Sequence, residues 1–285
     1  MTTDAPSPRK PPGRPTAPPT PSPRRAVPAP GPSRVAFGPM QSGPKGHRIG
    51  LYGPGGIGKT TLAATAPGPV AFFDLDDSLH VLAPQLEGLD VRRVDCSGTW
   101  KGLRDALRGD GWDEIKTVVI DSASKAEELA VAHTIATLPD EKGKPVSSVE
   151  DYGWGKGYTH VYETFLVLLG DLDAHARAGR NVVLICHDCT ATVPNPHGED
   201  YIRFEPRLQS LTGGKASVRL RVREWLDHLL FIGYDIDVKK TKARGSGTRT
   251  IYPAELPHCM AKSRKLCDPL PLDYLDTTVW NLLLG

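Results

Sequence analysis

The run from Gly53 to Thr60 reads Gly-Pro-Gly-Gly-Ile-Gly-Lys-Thr, which has the residue types and spacing of a phosphate-binding loop. Its glycines let successive backbone N–H groups point at one phosphate, and the helix that follows presents the positive end of its dipole to the same charge. In such a loop Lys59 reaches the β- and γ-phosphates, and the hydroxyl of Thr60 ligates Mg²⁺. The sequence therefore predicts a nucleoside triphosphate site. Its expected contacts are Gly53, Pro54, Gly55, Gly56, Ile57, Gly58, Lys59, Thr60 and Thr61.

A second metal ligand is expected at Asp121, the last residue of the apolar run Thr-Val-Val-Ile-Asp. An acid that ends a buried strand beside a phosphate loop can hold a Mg²⁺-bound water. The alternative is that Asp121 caps the helix that follows. Ser122 stands where an AAA+ type site carries a catalytic Glu, so the base of the reaction has to come from elsewhere in the chain.

Short apolar runs alternate with helical segments from His47 onward, which is typical of a parallel sheet covered by helices. Strands are expected at 47–52, 70–74, 91–95, 117–121, 181–187 and 228–234. Helices are expected at 59–65, 99–107, 124–138 and 158–178, and around 220–225. A hairpin around 239–249 and a further strand near 260–264 complete the pattern. The sequence predicts one doubly wound α/β domain over residues 47–285.

Residues 1–46 differ from the rest, because Pro, Ser, Thr, Ala and Arg dominate and large apolar side chains are almost absent. Such a segment cannot bury enough surface to offset the entropy of ordering, so we expect a disordered, extended tail. Residues 1–48 carry eight Lys or Arg and one acid, which leaves the remainder of this +2 chain acidic. The segment 8–15 loosely resembles an AT-hook, but no Arg precedes Gly13. The tail is either a weak electrostatic tether for nucleic acid or a solubilising linker.

The segment after the second expected strand resembles RecA-like recombinases, in which an acidic residue just past this strand polarises the attacking water. Here the strand ends at Asp74 and continues as Leu-Asp-Asp-Ser-Leu, so the resemblance implies Asp76 as catalytic base and Asp74 as second candidate. RecA-type proteins carry the longer Glu at this place. The resemblance also implies that His187, at the tip of the strand 181–187, is the polar residue that senses the γ-phosphate.

Further runs resemble phage-type P-loop ATPases of the AAA_24 family, which includes single-strand annealing proteins with a RecA-like core. They are DYGWGKGY at 151–158, the His after the Val-Val-Leu-Ile strand, Glu205-Pro206 with Leu208, and WLDHLLF at 225–231. Their order along residues 47–270 is a stronger signal than any single run. The resemblance implies a RecA-like fold with a mainly parallel sheet flanked by helices, ATP and Mg²⁺ as cofactors, and DNA-stimulated ATP hydrolysis in single-stranded DNA recombination or annealing.

The run Ala-Lys-Ser-Arg at 261–264 is similar to the Lys-x-Arg element of DnaB-type helicases and RadA-like proteins. Positions two apart in a strand share a face, so Lys262 and Arg264 can point at one target. In those families the target is the γ-phosphate bound by the neighbouring subunit, where positive charge stabilises the transition state. The resemblance implies a homo-oligomer, ring or filament, with a Lys/Arg finger acting in trans. The alternative is a solvated basic edge strand.

Two loops are candidates for contacting single-stranded DNA because they combine basic and aromatic residues. In RecA-like proteins the loop after the sensor strand faces the DNA, and here that loop spans about 188–214. Its candidate residues are Thr190, Thr192, Asn195, His197, Tyr201, Arg203, Arg207 and, at its end, Lys215. The other loop, 139–157, carries Lys142, Lys144, Tyr152, Trp154 and Lys156. Both loops also contain acids, so neither is a purely basic patch.

Two other classes of P-loop protein remain alternatives. One is a nucleotide-switched partner protein, such as a ParA-like partitioning ATPase or a helicase loader, without recombination activity of its own. The run GGIGKTT is shared with ParA-like proteins, but Pro54 occupies the place of their signature Lys. The other is a small-molecule kinase, which usually needs an Arg-rich lid, whereas the arginines of this chain are scattered.

The hydropathy pattern and the cysteines favour a cytoplasmic protein without a membrane partner. No run of about 18 consecutive apolar residues exists, and the N-terminus lacks the apolar stretch of a secretory signal. Five cysteines are an odd number, which favours reduced thiols over a disulfide framework. The pair Cys186 and Cys189, with His187 between them, leaves a zinc site as an alternative to a buried thiol.

Overall fold

The computed structural model describes residues 45–211, 215–239 and 242–285, so nearly all of the expected basic tail lies outside the described residues. The strands are β1 (Arg48–Tyr52), β2 (Val70–Asp74), β3 (Val91–Arg93), β4 (Thr117–Asp121), β5 (Asn181–Cys186), β6 (Asp188–Val193), β7 (Tyr201–Pro206), β8 (His228–Lys239), β9 (Lys242–Tyr252) and β10 (Leu270–Pro271). The helices are α1 (Lys59–Ala64), α2 (Leu79–Leu82), α3 (Trp100–Arg108), α4 (Ala123–Thr137), α5 (Lys156–Arg177), α6 (Val218–Trp225) and α7 (Thr278–Leu284).

Eight strands form one sheet in the order β10-β9-β8-β1-β5-β4-β2-β3. The six strands from β8 to β3 run parallel, and β9 and β10 add an antiparallel edge. Every residue of β2 and β4 is buried, as expected of strands that are covered on both faces. The predicted mainly parallel sheet flanked by helices is therefore confirmed.

Two apolar cores cover the two faces of the sheet. On one face, α3, α4, α5 and α6 pack against the strands through a core that includes Leu103, Phe165 and Val222. On the other face, α1 and α7 pack over a second core that includes Leu62 and Trp280. Each helix turns an apolar stripe towards the sheet, and this burial is the main favourable term that holds the layers together.

The parallel arrangement gathers the chemistry-bearing residues at one edge of the sheet. The carboxyl ends of β1, β2, β4 and β5 lie side by side, with Asp74 paired to Asp121 and Tyr52 paired to Cys186 in the strand register. β5 lies between β1 and β4. The residue that follows β5, His187, is consequently placed between the phosphate loop after β1 and the carboxylate that ends β4.

Helix α5 is amphipathic rather than apolar all round. Over its 22 residues, Val161, Phe165, Leu168 and Leu172 are buried at helical spacing, whereas other positions face solvent. Within the segments that the structure describes, no helix is both long enough and apolar enough to cross a bilayer.

The structure departs from the expected elements in two places. The segment 188–206, expected as a polar loop, contains the antiparallel hairpin β6–β7. The expected strand near 260–264 is wrong, because Lys262 makes only an isolated bridge with Leu229. The chain turns away at once, since the hydroxyl of Ser263 accepts the backbone N–H groups of Lys265 at 3.2 Å and Leu266 at 3.0 Å. The expected hairpin around 239–249 is confirmed by the pairing of β8 with β9.

A contact between sequence-distant helices fixes α1. The indole of Trp280, on α7, is fully buried, and its Nε1 donates to Leu62 O and Thr65 Oγ1, both at 3.0 Å. Replacing a buried Trp by Ala leaves a cavity and removes both hydrogen bonds. We expect Trp280→Ala to lower the free energy of unfolding by roughly 3–5 kcal/mol, measured by urea denaturation.

Leu282, on the same helix but 45% exposed, is the matched control. Leu282→Ala should change the free energy of unfolding by less than about 1 kcal/mol, because little apolar area leaves the core. Equal destabilisation by the two substitutions would show that α7 is not anchored through Trp280.

Candidate nucleotide-binding site

The phosphate loop connects β1 directly to α1, and two glycines make its course possible. Gly53 has φ +153°, and a Cβ there would lie 2.2 Å from the carbonyl oxygen of Ile232. Gly58 caps α1 with φ +103°, in a left-handed conformation that side chains disfavour. No side chain caps α1, so the first N–H groups of the helix point into the loop. This is the arrangement that a bound phosphate satisfies.

Lys59 is folded back onto the loop that carries it. Its side chain is largely buried, and its Nζ donates to Gly53 O at 2.6 Å and to Pro54 O at 2.8 Å. Burial lowers the pKa of this ammonium group, while Asp188 and Asp121 oppose the shift. The two carbonyls hold the ammonium at the centre of the loop, where phosphate oxygens would offer stronger, charge-assisted acceptors.

Thr60 and Asp121, the two predicted metal ligands, are in contact. The Thr60 hydroxyl donates to Asp121 Oδ2 at 2.7 Å, and the Asp121 residue is only 4% exposed. Burial raises the pKa of the Asp121 carboxyl to about 6, a shift that the Thr60 hydrogen bond opposes and that the nearby Asp76 and Asp74 increase. Thr60 and Asp121 therefore provide two hard oxygen donors, and the negative charge of the buried Asp121 carboxylate is only partly compensated. Such a pair of donors fits Mg²⁺.

No group of three or more His, Cys, Asp or Glu able to hold a metal exists among the described residues. A Mg²⁺ ion at Thr60 and Asp121 would therefore complete its shell with phosphate oxygens and water, as this ion usually does. The five cysteines are unpaired in the structure, and Cys186 is fully buried at the end of β5.

The two candidate bases occupy different environments. Asp74 is buried, and its two carboxylate oxygens accept the backbone N–H groups of Ser78 at 2.8 Å and Leu79 at 3.1 Å, which places it at the start of α2. Asp76 is partly exposed, and its Oδ2 lies 3.3 Å from His187 Nε2. Asp74 is thus occupied by the backbone, whereas Asp76 is free to face a water molecule and is oriented by His187.

The backbone of His187 is held by a residue that the sequence analysis did not single out. Ser124, on α4, accepts the His187 N–H at 3.2 Å and donates to the carbonyl of Arg207 at 3.0 Å. The Arg207 N–H donates in turn to His187 O at 2.8 Å. Ser124 therefore ties the start and the end of the β6–β7 hairpin to α4. Its position three residues after Asp121, at the start of the following helix, was the only signal in the sequence.

Lys262 and Arg264 lie at the opposite edge of the sheet. Lys262 Nζ donates to the carbonyls at the end of α6, which are Arg223 O at 3.1 Å, Glu224 O at 3.3 Å and Leu226 O at 2.7 Å. Arg264 Nε lies 3.4 Å from Asp227 Oδ1, next to the amino end of β1. The expectation that both share one strand face is wrong because the strand is absent. Neither reaches the phosphate loop of its own chain, and their action in trans stays a prediction.

One basic residue in each of the two candidate DNA loops is paired with acids. Arg203 contacts Glu205 and Glu255, and Arg219 also contacts Glu205. In the other loop, Lys156 pairs with Glu141. The aromatic candidate Trp154 is 98% exposed at the start of α5, so its indole is available to a partner. The hairpin β6–β7 begins directly after His187, and the backbone of Phe204 on β7 is hydrogen-bonded to His258 and Met260.

A cavity of about 500 Å³ opens beside the phosphate loop. The residues that line it come from the loop and α1, from α2 and the turn after it, from β9 and from the segment before α7: Gly56, Gly58, Lys59, Thr60, Thr61, Leu62, Ser78, Val81, Leu82, Gln85, Arg249, Leu272, Asp273, Tyr274, Leu275 and Asp276. Of these residues, the sequence predicted Gly56, Gly58, Lys59, Thr60 and Thr61. Arg249 and the segment before α7 are some 190 to 220 residues distant along the chain, and no local motif marks them.

Comparison with known proteins gives one family and one structural likeness. The model of the AAA_24 family, described as an AAA domain, matches residues 45–265. A solved KaiC-like protein from the hyperthermophilic archaeon Pyrococcus horikoshii is similar over 80% of this chain and 86% of that chain, with 15% sequence identity and a TM-score of 0.42. Among curated proteins none matches this sequence.

The raised pKa of Asp121 predicts a specific stability change. Its ionised form is penalised in the fold, a penalty that is absent below about pH 4 and grows as the pH rises to about 6. Asp121→Asn should therefore stabilise the nucleotide-free protein by roughly 2 kcal/mol at pH 7.5, and by about half of that at pH 5. Urea unfolding without Mg²⁺ measures both values.

Asp113→Asn, at an exposed carboxylate far from the loop, is the matched control and should change stability little at either pH. The Asp121→Asn protein should also bind ATP less tightly in Mg²⁺ than the parent, because an amide is a poorer ligand for this ion. A stability gain that does not depend on pH would mean that the Asp121 carboxyl is not the penalised group.

Proposed function

Because the chain belongs to the AAA_24 family of AAA domains and is thus a P-loop ATPase, we propose that it hydrolyses ATP with Mg²⁺ in the recombination or annealing of single-stranded DNA. The observation that carries the hydrolysis is the placement of β5 between β1 and β4. It brings the contacting pair of Asp76 and His187 to the edge where Lys59, Thr60 and Asp121 already meet. These five side chains comprise a phosphate ligand, two metal ligands, a base and its partner.

Each group has a role in the proposed reaction. Lys59 binds the β- and γ-phosphates, and Mg²⁺ held by Thr60 and Asp121 supplies neutralisation of phosphate charge. Asp76 accepts a proton from the attacking water, whose oxygen forms the new bond to the γ-phosphorus. The bond from that phosphorus to the β,γ-bridging oxygen breaks, and ADP leaves with the electron pair. His187 positions Asp76, which compensates for the short reach of Asp relative to Glu.

The proposed link to DNA rests on the position of His187 in the chain. His187 is the one residue between β5 and β6, so the group that contacts the candidate base also begins the β6–β7 hairpin. Its carbonyl accepts the N–H of Arg207 at the end of that hairpin. A change of His187 on loss of the γ-phosphate would therefore move both ends of the hairpin. Single-stranded DNA bound there would, by the same coupling, alter the rate of hydrolysis.

One observation favours a different proposal, a nucleotide-switched partner protein of the ParA-like or helicase-loader class. The hairpin, residues 188–206, carries one basic residue, Arg203, against the acids Asp188, Glu199, Asp200 and Glu205, and Arg203 pairs with Glu205 and Glu255. Such a hairpin offers little net positive charge to a phosphate backbone and suits a protein partner better. In that case hydrolysis would respond to a protein and not to DNA.

Steady-state hydrolysis with and without single-stranded DNA decides between the two proposals. We expect ATP hydrolysis that single-stranded DNA accelerates, retention of that DNA at low salt, and loss of hydrolysis in Lys59→Ala. His187→Asn should lower kcat by roughly 10²-fold, because the candidate base loses its positioning partner. His197→Asn, on the exposed turn between β6 and β7, is the matched control and should retain the parent kcat without DNA.

ATP hydrolysis at one rate with and without DNA, together with no DNA retention at low salt, would exclude the recombination role. The partner-protein alternative would then stand. Absence of ATP binding in the parent protein would exclude both proposals.

The proposed trans finger predicts complementation between two inactive variants. Lys59→Ala lacks the phosphate ligand and Arg264→Ala lacks the finger, so neither alone should hydrolyse ATP. In an equimolar mixture, roughly a quarter of head-to-tail interfaces would join an intact loop to an intact Arg264, and activity should partly return. Arg264 is the better target because Lys262 also satisfies the carbonyls that end α6. Full activity of Arg264→Ala alone would rule out this finger.

A further inference from the structure

Arg249 is held in place from both sides of its strand. It lies on β9 and pairs with Tyr234 of β8, and its carbonyl accepts the N–H of Leu272 at 2.8 Å. The hydroxyls of its neighbours Thr248 and Thr250 both donate to Asp235, at 2.6 and 2.8 Å. Since successive strand residues point to opposite faces, Arg249 projects away from Asp235 and towards the phosphate loop.

The guanidinium of Arg249 touches the loop itself. Its Nη1 donates to Ile57 O at 2.9 Å and would lie 2.7 Å from a Cβ built on Gly58. The side chain forms no ion pair with any carboxylate in the described part of the chain, although Asp273 and Asp276 line the same cavity. A partly buried guanidinium with N–H groups to spare, fixed beside anion-binding backbone, is a phosphate ligand by its chemistry.

The position of Arg249 relative to the phosphate loop indicates which phosphates its guanidinium faces. Lys59, Thr60 and Asp121 mark the β,γ end of the triphosphate, because Lys59 would bind those phosphates and Thr60 and Asp121 would hold the metal beside them. Arg249 instead contacts Ile57 and Gly58, in the part of the loop whose backbone N–H groups cradle the α- and β-phosphates. The phosphates nearest Arg249 are therefore the α- and β-phosphates.

We propose that Arg249 binds the α- and β-phosphates of the nucleotide from within the same chain. The proposal rests on the proposed function of this site and adds a ligand to it. The guanidinium would offset the charge that ADP acquires on cleavage, and it would tie β9, and through Leu272 the segment before α7, to the occupancy of the loop. It differs from Lys262 and Arg264, which lie at the opposite edge and are expected to act on a neighbour.

The affinities of ATP and ADP test this assignment, measured by competition with a fluorescent ADP analogue. We expect Arg249→Ala to weaken both nucleotides by about tenfold or more, and to similar extents, because both contain the α- and β-phosphates. Arg249→Gln should weaken them as strongly, since it keeps a donor but no charge, whereas Arg249→Lys should retain most of the affinity. Arg221→Ala, on the surface of α6, is the matched control and should bind like the parent.

Three results would overturn the proposal. Unchanged affinity in Arg249→Ala would mean no contact with the nucleotide, and a loss confined to ATP would move the contact to the γ-phosphate. Parent-like affinity in Arg249→Gln would reduce the role to tethering Ile57 O. Thermal melting of each nucleotide-free variant shows whether the fold is intact. Failure of the parent to bind ATP would instead refute the proposed function, so the two failures are distinguishable.

Discussion

The parallel register of β1, β5, β4 and β2 is the constraint on which the site depends. These strands are buried on both faces between two cores, and their observed register brings four carboxyl ends to one edge. The phosphate loop, Asp121, Asp76 and His187 are then neighbours although 134 residues separate the first from the last. A slip of β5 by one residue would move His187 along the strand by about 3.3 Å, away from Asp76, and would exchange the residues that face the two cores.

Without ligands, the site contains two buried ionisable groups whose charges are only partly compensated, which lowers the stability of the fold. Lys59 and Asp121 are largely buried, and burial moves the pKa of each towards its neutral form. The loop offers two backbone carbonyls to Lys59 and one hydroxyl to Asp121, which compensates each charge in part. The two cores on either face of the sheet must supply the stability that keeps these groups in place. Phosphate and Mg²⁺ would satisfy the same groups, so relief of this penalty would contribute to their binding energy.

Local patterns made the phosphate loop, the strand ending in Asp121 and most of the sheet predictable, because glycine spacing and apolar runs act over a few residues. Where tertiary contacts decided the outcome, the sequence was a poorer guide. The run around Lys262 looked like a strand, but the open carbonyls at the end of α6 capture its ammonium and Ser263 turns the chain. Arg249 was missed since only the pairing of β9 with β8 brings it to a loop 190 residues earlier.

The contact between Trp280 and Leu62 has a consequence for the order of events on the ribosome. These residues are 218 positions apart in sequence, yet the indole donates to the last turn of the helix that begins with Lys59. Until the segment containing Trp280 has left the exit tunnel, the phosphate helix lacks one wall of its core. A nascent chain therefore cannot complete the packing around its phosphate helix until Trp280 has emerged, 218 residues after Leu62.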